Sequence, residues 1–287
     1  MLFNRRSSPP GMPKLTFGLV PATDDACTRL HLADFCALLG ELVGGVISPH
    51  RAPSPGALAS AVASGRVNVA WLSPTLMVKS PGLAPVVPLV SSVRAGSPLY
   101  HAALFVDEAS PITAVEQLTG ARAAWVAPSS ASGYLFPRAA LRRRGFDPRS
   151  LFSTETFHNT HGKVAEAVLH GHADVGATFA VYEDGESSHG MLRAGFLDVV
   201  PGRRGRVLDV AGPIPADLIA SLPDVPIFAR SALTVSLQRI ADHPEAREPL
   251  RSLFGVERFA PFAAAGARAL RTLVDFGREP ATAASYG

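Results

Sequence analysis

The chain has 287 residues, a length that suits one large domain or two modest ones. Hydrophobic residues make up 47% and charged residues 18%, which excludes a disordered chain and predicts a large, well-covered core. The formal net charge is only +3. Its basic residues gather in just two short runs, Arg142–Arg144 and Arg203–Arg206, so no nucleic-acid surface is predicted.

The chain opens on MLFNRRSSPPGMPK, a polar, proline-containing stretch read as a flexible leader over residues 1–13. It carries no apolar run of about 7–15 residues and so no secretory signal. The expectation is a cytoplasmic chain as written, or a periplasmic one if a signal lies upstream. No run reaches the roughly 18 apolar residues of a transmembrane helix.

LTFGLVP (15–21) predicts a buried strand, and Ala26–Val43 a helix with apolar spacing at Leu30, Ala33, Ala37, Leu38 and Leu42, stopped by Gly44-Gly45. Cys27 and Cys36 fall nine residues apart on that helix, on opposite faces, so they cannot pair. VISPH is a second strand. Ser54-Pro55 supplies an N-cap and first-turn proline for a helix ending at Gly65. VNVAWLS (67–73) is a third strand, and Pro74 opens a short helix. This strand–helix–strand order predicts a parallel sheet covered on both faces by helices.

Two extended runs, VVPLVSSV and YHAALFVD, then interrupt the pattern. A second series follows: a short helix near Val115–Leu118, strand ARAAWVA, helix Gly133–Arg144, strand STETFH, helix Gly162–His170 and strand ADVGATF. After the extended run RVLDVAG (206–212), the remainder is predicted helical, at Leu233–Ala241, Ala246–Phe254 and Ala263–Phe276. The organisation is two lobes, residues 14–101 plus 208–287 and an inserted lobe over 102–207. A ligand cleft is expected between them at the sheet ends, where open α/β sheets bind ligands.

The sharpest local signal is APSSASGYLFPRAALRRRG (127–145). Ser129, Ser130, Ala131, Ser132 and Gly133 stand between a strand and a helix. The unpaired N–H groups of that helix start, its positive dipole end and three hydroxyls compose an anion site. Gly133 would let a ligand approach the backbone closely. One serine would serve as a cap; three in four positions exceed that need.

FHNTHGKVAEAVLHGHADVGATF (157–179) is the second signal. Asn159 or Thr160 can cap a helix whose first turn carries His161. The histidines at 158 and 161 lie about 15 Å along a helix from those at 170 and 172, too far for one metal ion. No metal is predicted, and His161 is the better donor candidate for an anion. Tyr100, at the start of a crossing strand, suits a core as well as a site. So does Trp71, which with Ser73 ends the third strand.

No GxSxG elbow, GxGxxG or GxxxxGK[ST] loop occurs, and no carboxylate pair has a clear acid/base arrangement. No nucleotide cofactor and no catalytic residue is predicted. The residues alone read as a binder.

These motifs resemble the PhnD-like phosphate/phosphite/phosphonate-binding proteins of ABC importers, with the type II periplasmic-binding-protein fold. The resemblance runs from about Leu15 to about Pro215. It is carried by GLVP, VNVAWLSP, PLVSSVRAGSPLYHAALFV, APSSASGYLFPRAAL and the FHNTHGKVAEAVLHGHADVGATF unit. It implies two lobes, each a mixed sheet flanked by helices, and a solute-binding role in ABC-type uptake or sensing of a small oxyanion. An ABC permease or a signalling partner is implied with it. Ser129, Ser130 and Ser132 would hold the oxyanion, Ala131 standing where the family often has threonine. His161 and Tyr100 fall on the family's histidine and aromatic positions. Asp217 maps loosely onto an acid that meets a ligand amine, whereas SPG (54–56) stands where a further aromatic is expected. The alternative is a cytosolic enzyme on the same scaffold, of the menaquinone-pathway or thiamine-pyrimidine type.

Overall fold

The computed structural model describes residues 11–94, 96–183, 187, 189–262 and 268. The chain forms two compact units, one drawn from Met1–Leu72, Ser80–Ser92 and Leu218–Pro261, the other from Ser73–Lys79, Val93–Asp217 and Phe262–Gly287.

The first unit begins β1 (Leu15–Leu19), α1 (Ala26–Val43), β2 (Ile47–Arg51), α2 (Pro55–Ala63) and β3 (Val69–Leu72). Local chemistry sets the helix ends. Asp25 accepts the Thr28 N–H at 2.7 Å, and Gly44 takes φ +70 at the far end, a left-handed stop that glycine adopts without steric cost. Ser54 accepts the Ala57 N–H at 3.2 Å in front of Pro55. β1 pairs in parallel with β2 and β3.

β4 (Val87–Val93), β11 (Leu218–Ser221) and β12 (Arg258–Pro261) complete a sheet of order β12-β4-β11-β3-β1-β2. β11 runs antiparallel to β3 and β4, which makes the sheet mixed. The sequence expectation of an all-helical remainder therefore fails at β11 and β12. LIAS is a short apolar run that periodicity cannot assign, and burial between two strands decides it. α7 spans Ile227–Arg239, starting six residues before the expected helix. The helix expected over 263–276 lies outside the described residues, Arg268 apart, as does the leader up to residue 10. The core here is aromatic: Phe17, Phe35, Trp71, Phe254 and Phe259 pack with ring centroids 4.9–6.1 Å apart.

The second unit holds α3 (Pro74–Lys79), β5 (Leu99–Asp107), β6 (Arg122–Trp125), α4 (Phe136–Arg143), α5 (Pro148–Leu151), β7 (Thr154–Phe157), α6 (His161–Leu169), β8 (Val175–Tyr182), β9 (Met191–Ala194) and β10 (Gly205–Pro215). Its sheet runs β10-β5-β8-β6-β7, with β9 added to β8. β6 is parallel to β7 and β8, while β5 is antiparallel to β8 and β10. The extended runs 100–107 and 206–212 thus become paired neighbours. The C-terminal ends of β6, β7, β8 and β10 and the start of β5 share one sheet edge.

Beneath that edge Trp125 is fully buried, and its indole N–H donates to Glu155 at 2.7 Å. Arg138, also buried, ion-pairs with Glu155 and lies over the Tyr134 ring at 4.9 Å. This fixes α4 against β6 and β7. Both arginine runs are drawn into local pairs, Arg144 with Asp209 and Arg203 with Asp107, each at 2.7 Å. Cys27 is exposed and Cys36 buried on α1, both as free thiols. Among the described residues no helix is long and apolar enough to cross a membrane.

Candidate functional site

β6 stops at Trp125, and the chain turns through Val126–Ser130 into a helical segment over Ala131–Arg143, whose first turn is of π type. Ser130 is the N-cap. Its Oγ accepts the Gly133 N–H at 3.1 Å, and its carbonyl accepts the Leu135 N–H at 3.0 Å. Its hydroxyl proton stays available as a donor. The N–H groups of Ala131 and Ser132 have no acceptor within the helix. Ser129 is exposed in the turn, and Ser132 is buried at 3% exposure.

Gly133 has a different role from the close ligand approach expected of it. A Cβ there would meet Val126 Cγ2 at 2.3 Å, so the space is taken by Val126. Packing of the turn against its own strand demands the glycine.

Val126 also joins the serine turn to the histidine turn. Its N–H donates to the Gly133 carbonyl at 3.2 Å, and its carbonyl accepts the Asn159 N–H at 2.8 Å. Asn159 bends the chain at φ +66, and Thr160 caps α6 by accepting the Lys163 N–H at 3.2 Å. His161 follows as the first residue of α6. Its Nδ1 lies 2.9 Å from the Thr178 hydroxyl, and its ring meets Phe179 edge-on at 5.1 Å. Burial pushes the His161 pKa down to about 4, since desolvation disfavours the cation. The imidazole is therefore neutral near pH 7, with Nδ1 engaged by Thr178.

Tyr100 stands opposite Ile214 in the β5/β10 ladder. It packs against the apolar cluster of Ala102, Phe136, Ala140, Ala211 and Ile214, as does Ala131 of the serine turn. Burial raises the pKa of its hydroxyl, and the nearby Asp217 charge adds to that. Asp217 itself is held by Arg94 at 3.0 Å. Burial raises the Asp217 pKa, and the Arg94 charge partly offsets it.

Trp71 belongs to the other unit, where it packs on Phe254 and Phe259. Ser73 accepts the Leu76 N–H at 3.2 Å and caps α3. Within the second unit, then, the serine turn, His161, Tyr100 and Asp217 stand along one sheet edge. Sequence reasoning missed Thr178, Val126 and Arg94. Thr178 had a signal, a polar residue inside the otherwise apolar VGATFAVY, and it is wholly buried. Among the described residues no three metal-ligating side chains gather.

Solved structures share this architecture. XAC2383 from Xanthomonas citri bound to ATP aligns with a TM-score of 0.70 at 22% identity, covering 92% of this chain and 97% of that one. A binding protein component of an ABC phosphonate transporter from Pseudomonas aeruginosa aligns at 0.60 and 18% identity, covering 93% and 87%. PhnD1 from Prochlorococcus marinus, in complex with methylphosphonate, aligns at 0.62 and 12% identity, covering 93% and 97%. At these identities the likeness establishes the fold, a type II periplasmic-binding-protein architecture. The family profile described as "ABC transporter, phosphonate, periplasmic substrate-binding protein" matches residues 17–266, nearly the whole length. The chain belongs to that family of phosphonate substrate-binding proteins of ABC transporters.

Proposed function

We propose that the protein captures a small tetrahedral oxyanion, phosphate, phosphite or a short phosphonate, for ABC-type uptake, and releases it chemically unchanged. The observation that carries this reading is the joined pair of turns at the ends of β6 and β7. Val126 links the open amides and hydroxyls of residues 129–132 to the neutral imidazole of His161. Such a group of neutral donors with a helix dipole stabilises an anion without a full counter-charge. The methylphosphonate in PhnD1 supports the ligand class.

Turnover finds less support than binding. The neutral His161 has only a hydroxyl partner on Nδ1 rather than an orienting carboxylate, and Ser130 Oγ is engaged in a cap rather than beside a base. An ABC permease is the partner this function requires, and the periplasm is the compartment in which it operates, the second of the two the sequence allowed.

Calorimetry with phosphate, phosphite, methylphosphonate and sulfate tests the reading, with ATP as a further arm. Micromolar or tighter binding of a phosphorus oxyanion, and its recovery unchanged by phosphorus NMR, is expected. Millimolar or weaker binding of all of them, beside tight binding of an apolar acid, overturns it.

A further inference from the structure

The edge of the second unit that carries Tyr100 also carries a cation and an anion aimed at each other. Arg94 leaves β4 and forms a narrow turn with Ser97, exchanging backbone hydrogen bonds of 3.1 and 3.2 Å. Ser97 Oγ ties that turn to Leu99 at the start of β5. On the returning crossing, Pro215 pairs with Leu99 and the Ala216 N–H donates to the Pro98 carbonyl at 3.0 Å. The next residue is Asp217, whose carboxylate receives the Arg94 guanidinium at 3.0 Å. Both side chains are only about one third exposed, 35% and 28%. Arg94 is held by its bridge to Ser97, and Asp217 directly follows the Ala216–Pro98 hydrogen bond that closes the β5/β10 pairing, so the pair is built into the edge.

We propose that Arg94 is a specificity residue: by occupying Asp217 it withdraws the carboxylate from ligands, so the site takes oxyanions whose substituent bears no ammonium group. This rests on the oxyanion reading above and refines its substrate class. An ammonium entering beside Tyr100 would meet a neutralised pair, and capturing Asp217 would require displacing Arg94. A guanidinium is always charged and holds a carboxylate in a directional hydrogen bond that a compact ammonium does not replace at equal strength. A bare oxyanion or an alkylphosphonate needs nothing from Asp217.

The probes are methylphosphonate and aminomethylphosphonate, which differ by one ammonium, compared by calorimetry at pH 7. The wild-type protein should bind the amino compound no more than about threefold better than methylphosphonate. Arg94→Met keeps the aliphatic stem and removes the guanidinium from the carboxylate. The ratio should then move toward the amino compound by about tenfold or more, the lower range for a hydrogen bond between charged groups. Asp217→Asn instead removes the negative charge beside Arg94, and inorganic phosphate should then bind several-fold tighter. A wild-type preference of tenfold or more for the amino compound overturns the proposal while leaving the oxyanion reading intact. So does an unmoved ratio in Arg94→Met, or a phosphate affinity that stays level or falls in Asp217→Asn. If no phosphorus oxyanion binds the wild-type protein, the oxyanion reading itself falls and takes this proposal with it.

Discussion

His161 Nδ1 and Thr178 Oγ1 stand 2.9 Å apart, a first-turn helix residue tied to the interior of a buried strand. The contact fixes the ring through Nδ1 and leaves Nε2 as the nitrogen that Thr178 does not engage. With the pKa near 4, the side chain is a neutral single donor or acceptor at physiological pH.

That depressed pKa makes His161 a source of acid sensitivity. The folded value lies below the ordinary 6.5, so the unfolded chain takes up the proton first, and stability falls as pH drops from about 6.5 toward 4. The full loss attributable to this group is about 3 kcal/mol. Urea midpoints at pH 7 and pH 4.5 should therefore fall further for wild type than for His161→Gln. An equal fall in both would show that His161 titrates normally in the folded protein.

The same group distinguishes the two ends of α6 in binding. His161→Ala should weaken phosphonate affinity, while His170→Ala, at the helix C-cap, should leave it unchanged. Above about pH 5.5 affinity should follow the second ionisation of the ligand itself, and any dependence lost in His161→Ala reports how far the bound anion lifts the His161 pKa. Calorimetry in two buffers of different ionisation enthalpy reads this as proton uptake. Equal losses from both substitutions would make His161 a structural residue.

Ser132→Ala should cost about 1–3 kcal/mol of binding, the range for hydrogen bonds to a charged group, or about 5–150-fold in affinity. The fold should be little affected, because the helix cap belongs to Ser130 and not to Ser132. An unchanged ligand affinity would remove the Ser132 hydroxyl from the site.

Gly133→Ala forces a methyl group against Val126 Cγ2, 2.3 Å from the ideal Cβ position. Overpacking of this kind costs about 1–3 kcal/mol, and the shift should spread through Val126 to both turns. Chemical denaturation should show the loss, and Val126→Ala in the same background should recover part of it. A Gly133→Ala variant as stable as wild type would mean that the turn can yield freely.

Glu155→Ala leaves the buried Arg138 guanidinium and the Trp125 indole N–H without their shared acceptor. Removing one member of a buried pair costs about 3–5 kcal/mol; with Glu155 partly exposed, about 2–3 kcal/mol is expected. Arg138→Met added to Glu155→Ala should restore stability, since it removes the uncompensated charge. A double variant less stable than Glu155→Ala alone would assign the cost to lost packing instead.

Much of the fold was legible because it is written in short-range rules. Gly44 after Val43, Ser54 with Pro55, and Thr160 before His161 each act within a few residues, so these helix ends follow from local chemistry. The serine turn and the histidine turn were legible for the same reason. The β11 strand was not, because Leu218–Ser221 is apolar throughout and only its place between β3 and β4 gives it a conformation.

The sequence by itself determined the candidate donors: three hydroxyls at a helix start and one histidine at another. Tertiary structure alone decided how each is placed. Val126 filling the space over Gly133, Thr178 fixing the His161 ring and Arg94 engaging Asp217 across 123 residues all depend on strand register. Register is set by burying whole faces of a sheet at once. No window of neighbouring residues contains that information, which is why the charged partner of Asp217 became visible only when β5 and β10 were paired.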